Sequence, residues 1–276
     1  MADWQISLAI GLGLLLPTAL GLLGSPEVRR ALRGRGSVKQ TLSNASVGAV
    51  FLLTQVALRG ALLALYAGSA ALVPWKLPAN QVWTWVLALF SLELIYYAQH
   101  RLEHRVPLLW AIHAVHHQSR DYNLSVSFRV GALSSLSTAI FHLPLALVGV
   151  SLAQYALLAS VHALLLFTLH ARTRIALGPG RFFNAPVFHR VHHASDASYI
   201  DKNFGGVLLV FDRLFGTFAA LSGEPSYGVA SQSSPLNPLH ANVAPWVPLL
   251  RRVRREVSLS AKLHALFVDD GRSKSA

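Results

Sequence analysis

Residues 131–171 run for 41 positions without a lysine, arginine, aspartate or glutamate. A stretch of that length cannot be covered by a small water-soluble domain, and spanning a bilayer takes about 20 mostly apolar residues. The segment therefore predicts two helices back to back, with the turn near Gly149-Val150-Ser151. Inside hydrocarbon a chain must satisfy its own backbone hydrogen bonds, which leaves helices as the economical solution. Three other runs qualify by length: 5–23, 46–73 with Arg59 at its centre, and 81–99 with one glutamate, Glu93. Trp83 and Trp85 open the last of these and Tyr96 and Tyr97 close it, as aromatic side chains do at membrane–water interfaces. Composition agrees. Of 276 residues 53% are hydrophobic and 13% charged, against about 25% charged in a soluble domain. Disorder is excluded by the same apolar content. The expectation is an all-α integral membrane protein with five spans, or four if 5–23 or 46–73 forms a re-entrant hairpin.

The basic residues give orientation. The loop 24–45 holds Arg29, Arg30, Arg33, Arg35 and Lys39, and 100–130 holds Arg101, Arg105, Arg120 and Arg129. By the positive-inside rule these face the cytoplasm, with the N-terminus outside and the C-terminus inside. The net charge of +12 then follows topology, and nucleic acid is not expected as a partner. Arg59 at mid-span needs a buried partner. Glu93 stands at nearly the same depth on the neighbouring span, so an Arg59–Glu93 contact is expected. Residues 246–267 carry Arg251, Arg252, Arg254 and Arg255 among apolar positions and predict a helix lying on the cytoplasmic face. Three regions result: membrane helices over 1–80, a central region over 81–220, and a cytoplasmic tail over 221–276.

There are no cysteines and 13 histidines, more than all the acidic residues together. Thiolate metal sites, disulfides and a cysteine nucleophile are excluded. The histidines are grouped: His100 with His104, then His113 with His116 and His117, then His189 with His192 and His193. Positions i, i+3 and i+4 share one helix face, so eight imidazoles arrive in three forks. All lie on the cytoplasmic side, and the 131–171 hairpin returns the chain to that side. His170, where the hairpin re-emerges, is a ninth candidate. Neutral imidazole is a common ligand for iron, copper and zinc, and eight or nine are too many for one ion and suit two. His142 and His162, inside the hairpin, are expected to be hydrogen-bonded within the bundle. His240 and His264 are expected at the surface. Two rivals fit less of the pattern. His100-Arg-Leu-Glu-His104 matches the inverted zinc-protease motif, with Glu103 as general base. A membrane metal-ion or proton transporter with a histidine relay is the alternative outside enzymes.

The run from Tyr96 to His117, including His100-Arg-Leu-Glu-His104 and Trp110-Ala-Ile-His113-Ala-Val-His116-His117, resembles the fatty acid hydroxylase / sterol desaturase superfamily. So do Phe188-His189-Arg-Val-His192-His193, Tyr199-Ile-Asp201-Lys-Asn203-Phe-Gly-Gly and Phe211-Asp212-Arg-Leu-Phe-Gly216-Thr217, with Phe211 where the family often has tryptophan. The resemblance covers roughly residues 85–220. Asp121-Tyr122-Asn123-Leu124-Ser125 looks most like the branch holding alkylglycerol monooxygenase and bacterial sterol desaturase family proteins. The resemblance implies a bundle of membrane helices under a cytosolic histidine-rich cap and a non-haem diiron centre, with two Fe ions replaceable by Zn in a purified sample. It implies O₂ as co-substrate, and hydroxylation or desaturation of a lipid: a sterol, acyl chain, ether lipid or carotenoid. Electrons are expected from a separate donor, such as ferredoxin or cytochrome with reductase, since no cytochrome-like extension is seen. Asp201, Asp212, Glu103 and Asn203 are candidates to hold ligand rings by their free N–H; Asn203 and Asp201 are expected to be catalytic, and the alternative for Asn203 is to complete a coordination sphere through water. High alanine and arginine with little lysine points to a bacterial inner membrane.

Overall fold

The computed structural model describes residues 35–172, 182–229 and 234–269, with helix in most of them and two isolated β-bridges, Phe183 with Leu208 and Ala194 with Tyr227. The helices are α1 (Arg35–Ala71), α2 (Val82–Arg105), α3 (Pro107–His117), α4 (Ser134–Val148), α5 (Leu152–Leu169), α6 (Pro186–His192), α7 (Val210–Leu214), α8 (Pro238–Val243), α9 (Trp246–Arg255) and α10 (Leu259–Phe267). A 3₁₀ turn covers Leu124–Phe128. The expected span at 5–23 lies outside the described residues. Val38–Ala71, Val82–Arg105 and Leu152–Leu169 are long and apolar enough to cross a membrane, and Ser134–Val148 is a shorter apolar helix.

The 131–171 hairpin forms as its sequence predicts. α4 ends at Gly149, whose φ of 98° is left-handed and costs a glycine little. α5 opens with a capping box: Ser151 accepts from the Gln154 N–H, and Gln154 returns to the Ser151 N–H. α2, α4 and α5 pack around Ala88, Leu92, Leu145, Ala146 and Val150, joined by Tyr66 of α1. In lipid, apolar burial gains little over exposure to acyl chains, so close approach of small residues and interhelical hydrogen bonds carry the association. Ala88 and Ala146 are fully buried, and the Tyr66 hydroxyl donates to the Val150 carbonyl at 3.1 Å. The outer faces carry exposed Leu53, Val56, Val82 and Ile140, suited to acyl chains.

α1 departs from expectation at both its start and its charge. It begins 11 residues before the expected span, taking in part of the basic loop. The run 37–47 has no helix breaker, and its inner face, Gln40, Ser43, Asn44 and Val47, is buried against the cap. At about 1.5 Å per residue the helix outruns the roughly 30 Å hydrocarbon layer, and Ser43 and Asn44 near its start meet Ser119, Ser125 and Arg129. Arg59 is exposed on this helix and does not meet Glu93. Glu93 is fully buried; its Oε1 lies 3.0 Å from Nε2 of His162 on α5, and its Oε2 accepts from the Leu208 N–H at 2.9 Å. The pairing fails because the Glu93 face of α2 turns toward α5.

The helix expected within 246–267 forms, as two short helices, α9 and α10, separated at Glu256–Ser258. α10 starts with Ser258 as its cap, accepting from the Ala261 N–H. α8 packs on α1, and α9 and α10 pack on α3.

Candidate metal centre

All nine candidate histidines converge where α2, α3, the end of α5 and α6 meet. They fall into two groups: His100, His104, His113, His117 and His192, then His116, His170, His189 and His193; in each the ligand nitrogens lie within 4.8 Å of one another. Neighbouring Nε2 atoms sit at 3.1 Å for His100–His113, His113–His117, His116–His170 and His170–His189, and 3.2 Å for His189–His193. Between His116 and His170 the facing atoms are lone pairs. Nδ1 of His116 donates to the Arg129 carbonyl at 2.9 Å and Nδ1 of His170 to the Leu166 carbonyl at 3.0 Å. A carbonyl only accepts, so both protons are on Nδ1 and both Nε2 atoms are bare. Two bare nitrogens 3.1 Å apart repel unless a cation lies between them. Around an ion with bonds of about 2.0–2.1 Å, ligand nitrogens sit about 2.9 Å apart in an octahedron and about 3.3 Å in a tetrahedron. The observed spacings fall in that interval. Nε2 of His192 is buried without a hydrogen-bond partner, as a donor atom awaiting a metal would be.

The rings are neutral as well as aimed. Burial, reinforced by neighbouring imidazoles, holds His116, His117, His189, His192 and His193 well below the usual histidine value, and burial pushes His170 down to about 4. Metal need not compete with protons for such ligands at neutral pH.

Comparison with known proteins agrees with this chemistry. The fatty acid hydroxylase family model matches residues 85–217, a span that holds all nine histidines. Residues 85–217 are thus similar to the fatty acid hydroxylase family. The chain is 40% identical over 155 residues to alkylglycerol monooxygenase from Danio rerio, covering 56% of this chain and 34% of that protein. It is 30% identical over 238 residues to alkylglycerol monooxygenase from Xenopus tropicalis, covering 85% and 53%. It is 31% identical over 146 residues to ornithine lipid hydroxylase OlsE from Rhizobium tropici, covering 48% and 41%. The chain thus spans about a third to a half of the curated relatives it matches. No solved structure matches it.

Within residues 85–217 one segment supports most of the first group. Oδ1 of Asp201 lies 3.5 Å from Nδ1 of His104, the Lys202 carbonyl accepts from Nδ1 of His192 at 3.0 Å, and the Phe204 carbonyl accepts from Nδ1 of His100 at 2.8 Å. Asp201 and Asn203 are the non-glycine residues with positive φ among the described residues, at 59° and 54°. Asp and Asn tolerate that region best, and the alternation turns successive acceptors toward the rings. Asn203 itself does not reach the histidines. Its amide donates to the Phe188 and Ala219 carbonyls and accepts from the Ala219 N–H, which makes it a backbone clip. Asp212, fully buried, accepts from the N–H groups of Phe204 and Gly205 and from the Thr217 hydroxyl, and its burial pushes its carboxyl up. Gly206 presses on the bundle: a Cβ there would meet Nε2 of His162 at 2.5 Å.

Glu103 does not face the metal position as a protease base would. Its Oε2 is 3.2 Å from Nδ1 of His113 and its Oε1 accepts from Gln99 and Ser137. His142 and His162 stay outside both groups: Nδ1 of His142 pairs with the Tyr155 hydroxyl at 2.9 Å, and His162 lies against Glu93. His240 and His264 are exposed. Three supports carried no readable signal. The acceptors at Arg129, Leu166, Lys202 and Phe204 are backbone carbonyls, anonymous in sequence. Asn184, whose amide holds the Gly205 and Gly206 carbonyls, shows only as an Asn two residues before a helix-starting proline. The Arg129 guanidinium is fully buried and donates to the Val115 and Pro235 carbonyls and to Ser43, Asn44 and Gln118. Burial pushes it down to about 10, still protonated at neutral pH.

Proposed function

We propose that this chain is a membrane-bound lipid hydroxylase with a two-metal centre, five histidines on one ion and four on the other. The observation that carries the reading is the pairing of bare Nε2 atoms at 3.1 Å, His116 with His170, in tautomers fixed by carbonyls behind them. His100, His104, His113, His117 and His192 hold one ion; His116, His170, His189 and His193 hold the other. Iron is the metal assigned, since an all-nitrogen shell without thiolate suits a redox-active pair that works with O₂. When bound, the pair supplies O₂ activation and the oxidising strength needed to break a C–H bond.

The chain's own contribution is ligand geometry and environment. Asp201, Lys202, Phe204, Glu103, Arg129 and Leu166 hold the rings by Nδ1, which fixes both tautomer and plane. The buried cap keeps bulk water from the centre. The lipid reaches the site from the bilayer, where the spans end, so only a carbon near the membrane surface is presented. Like the alkylglycerol monooxygenases and ornithine lipid hydroxylase it is similar to, the protein takes a lipid with a polar head as substrate. The overall change consumes O₂, two electrons and two protons and yields the alcohol and water. The electrons come from a separate donor, a ferredoxin or a cytochrome with its reductase. The arginine distribution supports a site on the cytoplasmic side of a bacterial inner membrane.

The test is metal analysis of purified chain together with O₂-dependent turnover. Two irons per chain, with oxygenated lipid appearing only when ether-lipid or ornithine-lipid extracts, O₂ and a reductant are all present, is the expected result. Metal that exchanges freely, with no lipid product from any extract, would remove the proposal.

A further inference from the structure

The two groups of histidines differ in what stands behind them. In the first, His113 is backed by the Glu103 carboxylate and His104 by that of Asp201. In the second, His116 and His170 are backed by neutral carbonyls, and Nδ1 of His189 is buried with no partner. Among the described residues no carboxylate lies within ion-pair distance of a second-group histidine. The nearest charged support is of the opposite sign. Arg129, whose carbonyl holds His116, keeps its guanidinium buried among five neutral acceptors with no carboxylate to cancel its charge.

A carboxylate behind an imidazole makes the ring a stronger electron donor, and removing such a partner typically lowers metal affinity 10–100-fold. Buried negative charge also favours the more highly charged ion, because little water screens it. The first group has two such partners and five ligands, whereas the second has none, four ligands and a buried cation nearby. We infer that the two metal positions are unequal: the first group fills first and holds the ferric ion when the pair is half oxidised, with Glu103 and Asp201 as the positioning residues that set the difference. This rests on the two-metal reading above. The half-oxidation is a one-electron loss from a diferrous pair to an added ferricyanide-type oxidant; no bond is made or broken in the substrate.

The experiment uses the full chain in detergent or nanodiscs, stripped of metal and titrated with Co²⁺ alone while its visible absorption is followed. Two phases are expected, the first at least tenfold tighter, lost in His104→Ala, with the weaker phase lost in His193→Ala. Glu103→Gln keeps an oxygen for His113 and removes only the charge. It should weaken the tight phase about tenfold and leave the weak phase in place. In iron-loaded protein given one equivalent of ferricyanide, the same variant should lower the ferric preference of the first group about tenfold, about 59 mV for one electron, read by electron paramagnetic resonance. If Glu103→Gln fails to reach the membrane, Asp201→Asn, at a partly exposed position, tests the same point with a smaller shift. Two equal phases, a tight phase that survives His104→Ala, or a charge-removing variant that moves both phases alike would overturn the inference while leaving a two-metal enzyme. No cobalt binding at all would remove the two-metal reading and the inference with it.

Discussion

The strap 201–208 and the membrane part of α1 are both buried in their own solvent, one in protein and the other in lipid, yet they are held by opposite means. The polar groups of the strap are committed: to Asp212, to Asn184, to Glu93, to three histidine rings and, through the Asn203 amide, to the backbone of Phe188 and Ala219. The outward face of α1 is Leu52, Leu53, Val56 and Leu65, exposed and without specific partners. A segment fixed by hydrogen bonds in a dry interior has one arrangement, since each broken bond strands a buried donor or acceptor at about 1–3 kcal/mol. A segment fixed by apolar contact with fluid lipid has many near-equal substitutes. Precision in this molecule is concentrated in a few loop residues, and the long helices supply position and depth.

The comparison breaks most visibly at the rings themselves. His116→Ala or His192→Ala is expected to abolish turnover while leaving the protein membrane-inserted, measured by lipid product against membrane-fraction abundance. Next comes the strap. Asn203→Ala removes three buried hydrogen bonds and places alanine at φ 54°, for a loss of roughly 3 kcal/mol or more and a fall in bound metal at the first group. Thermal unfolding and metal analysis check it; unchanged metal content would mean the strap does not position the rings. Acid should act on the second histidine group. His170 has its folded value near 4 against about 6.5 when unfolded, so the unfolded chain binds more protons between those values and stability rises with pH there. Metal-free protein should therefore be at full stability above about pH 6.5 and weaken progressively down to about pH 4, followed by denaturant midpoints across that range. The smallest effects belong to α1 and the arginine helix. Arg59→Gln should change stability by less than about 0.5 kcal/mol, whereas Glu93→Gln, at a buried carboxylate, costs several times more. Neutralising Arg251, Arg252, Arg254 and Arg255 should reduce enrichment of anionic lipid around the chain by about 1 kcal/mol per charge, read from co-purified lipid composition.

How much of this is visible in the residues depends on what kind of group does the holding. Apolar runs and helical spacing are local signals, so the 131–171 hairpin, its turn at Gly149 and the three forks with His170 were legible from sequence alone. Of the four residues expected to hold rings, Glu103 and Asp201 each reach one, whereas Asp212 and Asn203 hold backbone behind them; a polar residue near histidines in sequence can serve either, and only the path of the chain decides. The carbonyls of Lys202, Phe204, Arg129 and Leu166 were invisible, since any residue offers the same oxygen and only the path of the chain aims it. Arg59 and Glu93 failed for a related reason. Depth follows from counting residues, but the face a helix shows its neighbour depends on how the whole bundle packs, and Glu93 found His162. The early start of α1 was missed because its buried face, Gln40, Ser43 and Asn44, is polar and reads as loop until Arg129 is set against it.

The bare nitrogens held 3.1 Å apart have a consequence for the life of the protein in a cell. A shape that forces lone pairs together is a poor resting place for the chain on its own, and any ion that fills the gap adds its binding free energy to that of folding. Supply of metal then governs how many copies survive quality control, as well as how many of the survivors work. On the proposed two-iron reading, starvation for iron should show first as fewer molecules in the membrane, before it shows as idle ones.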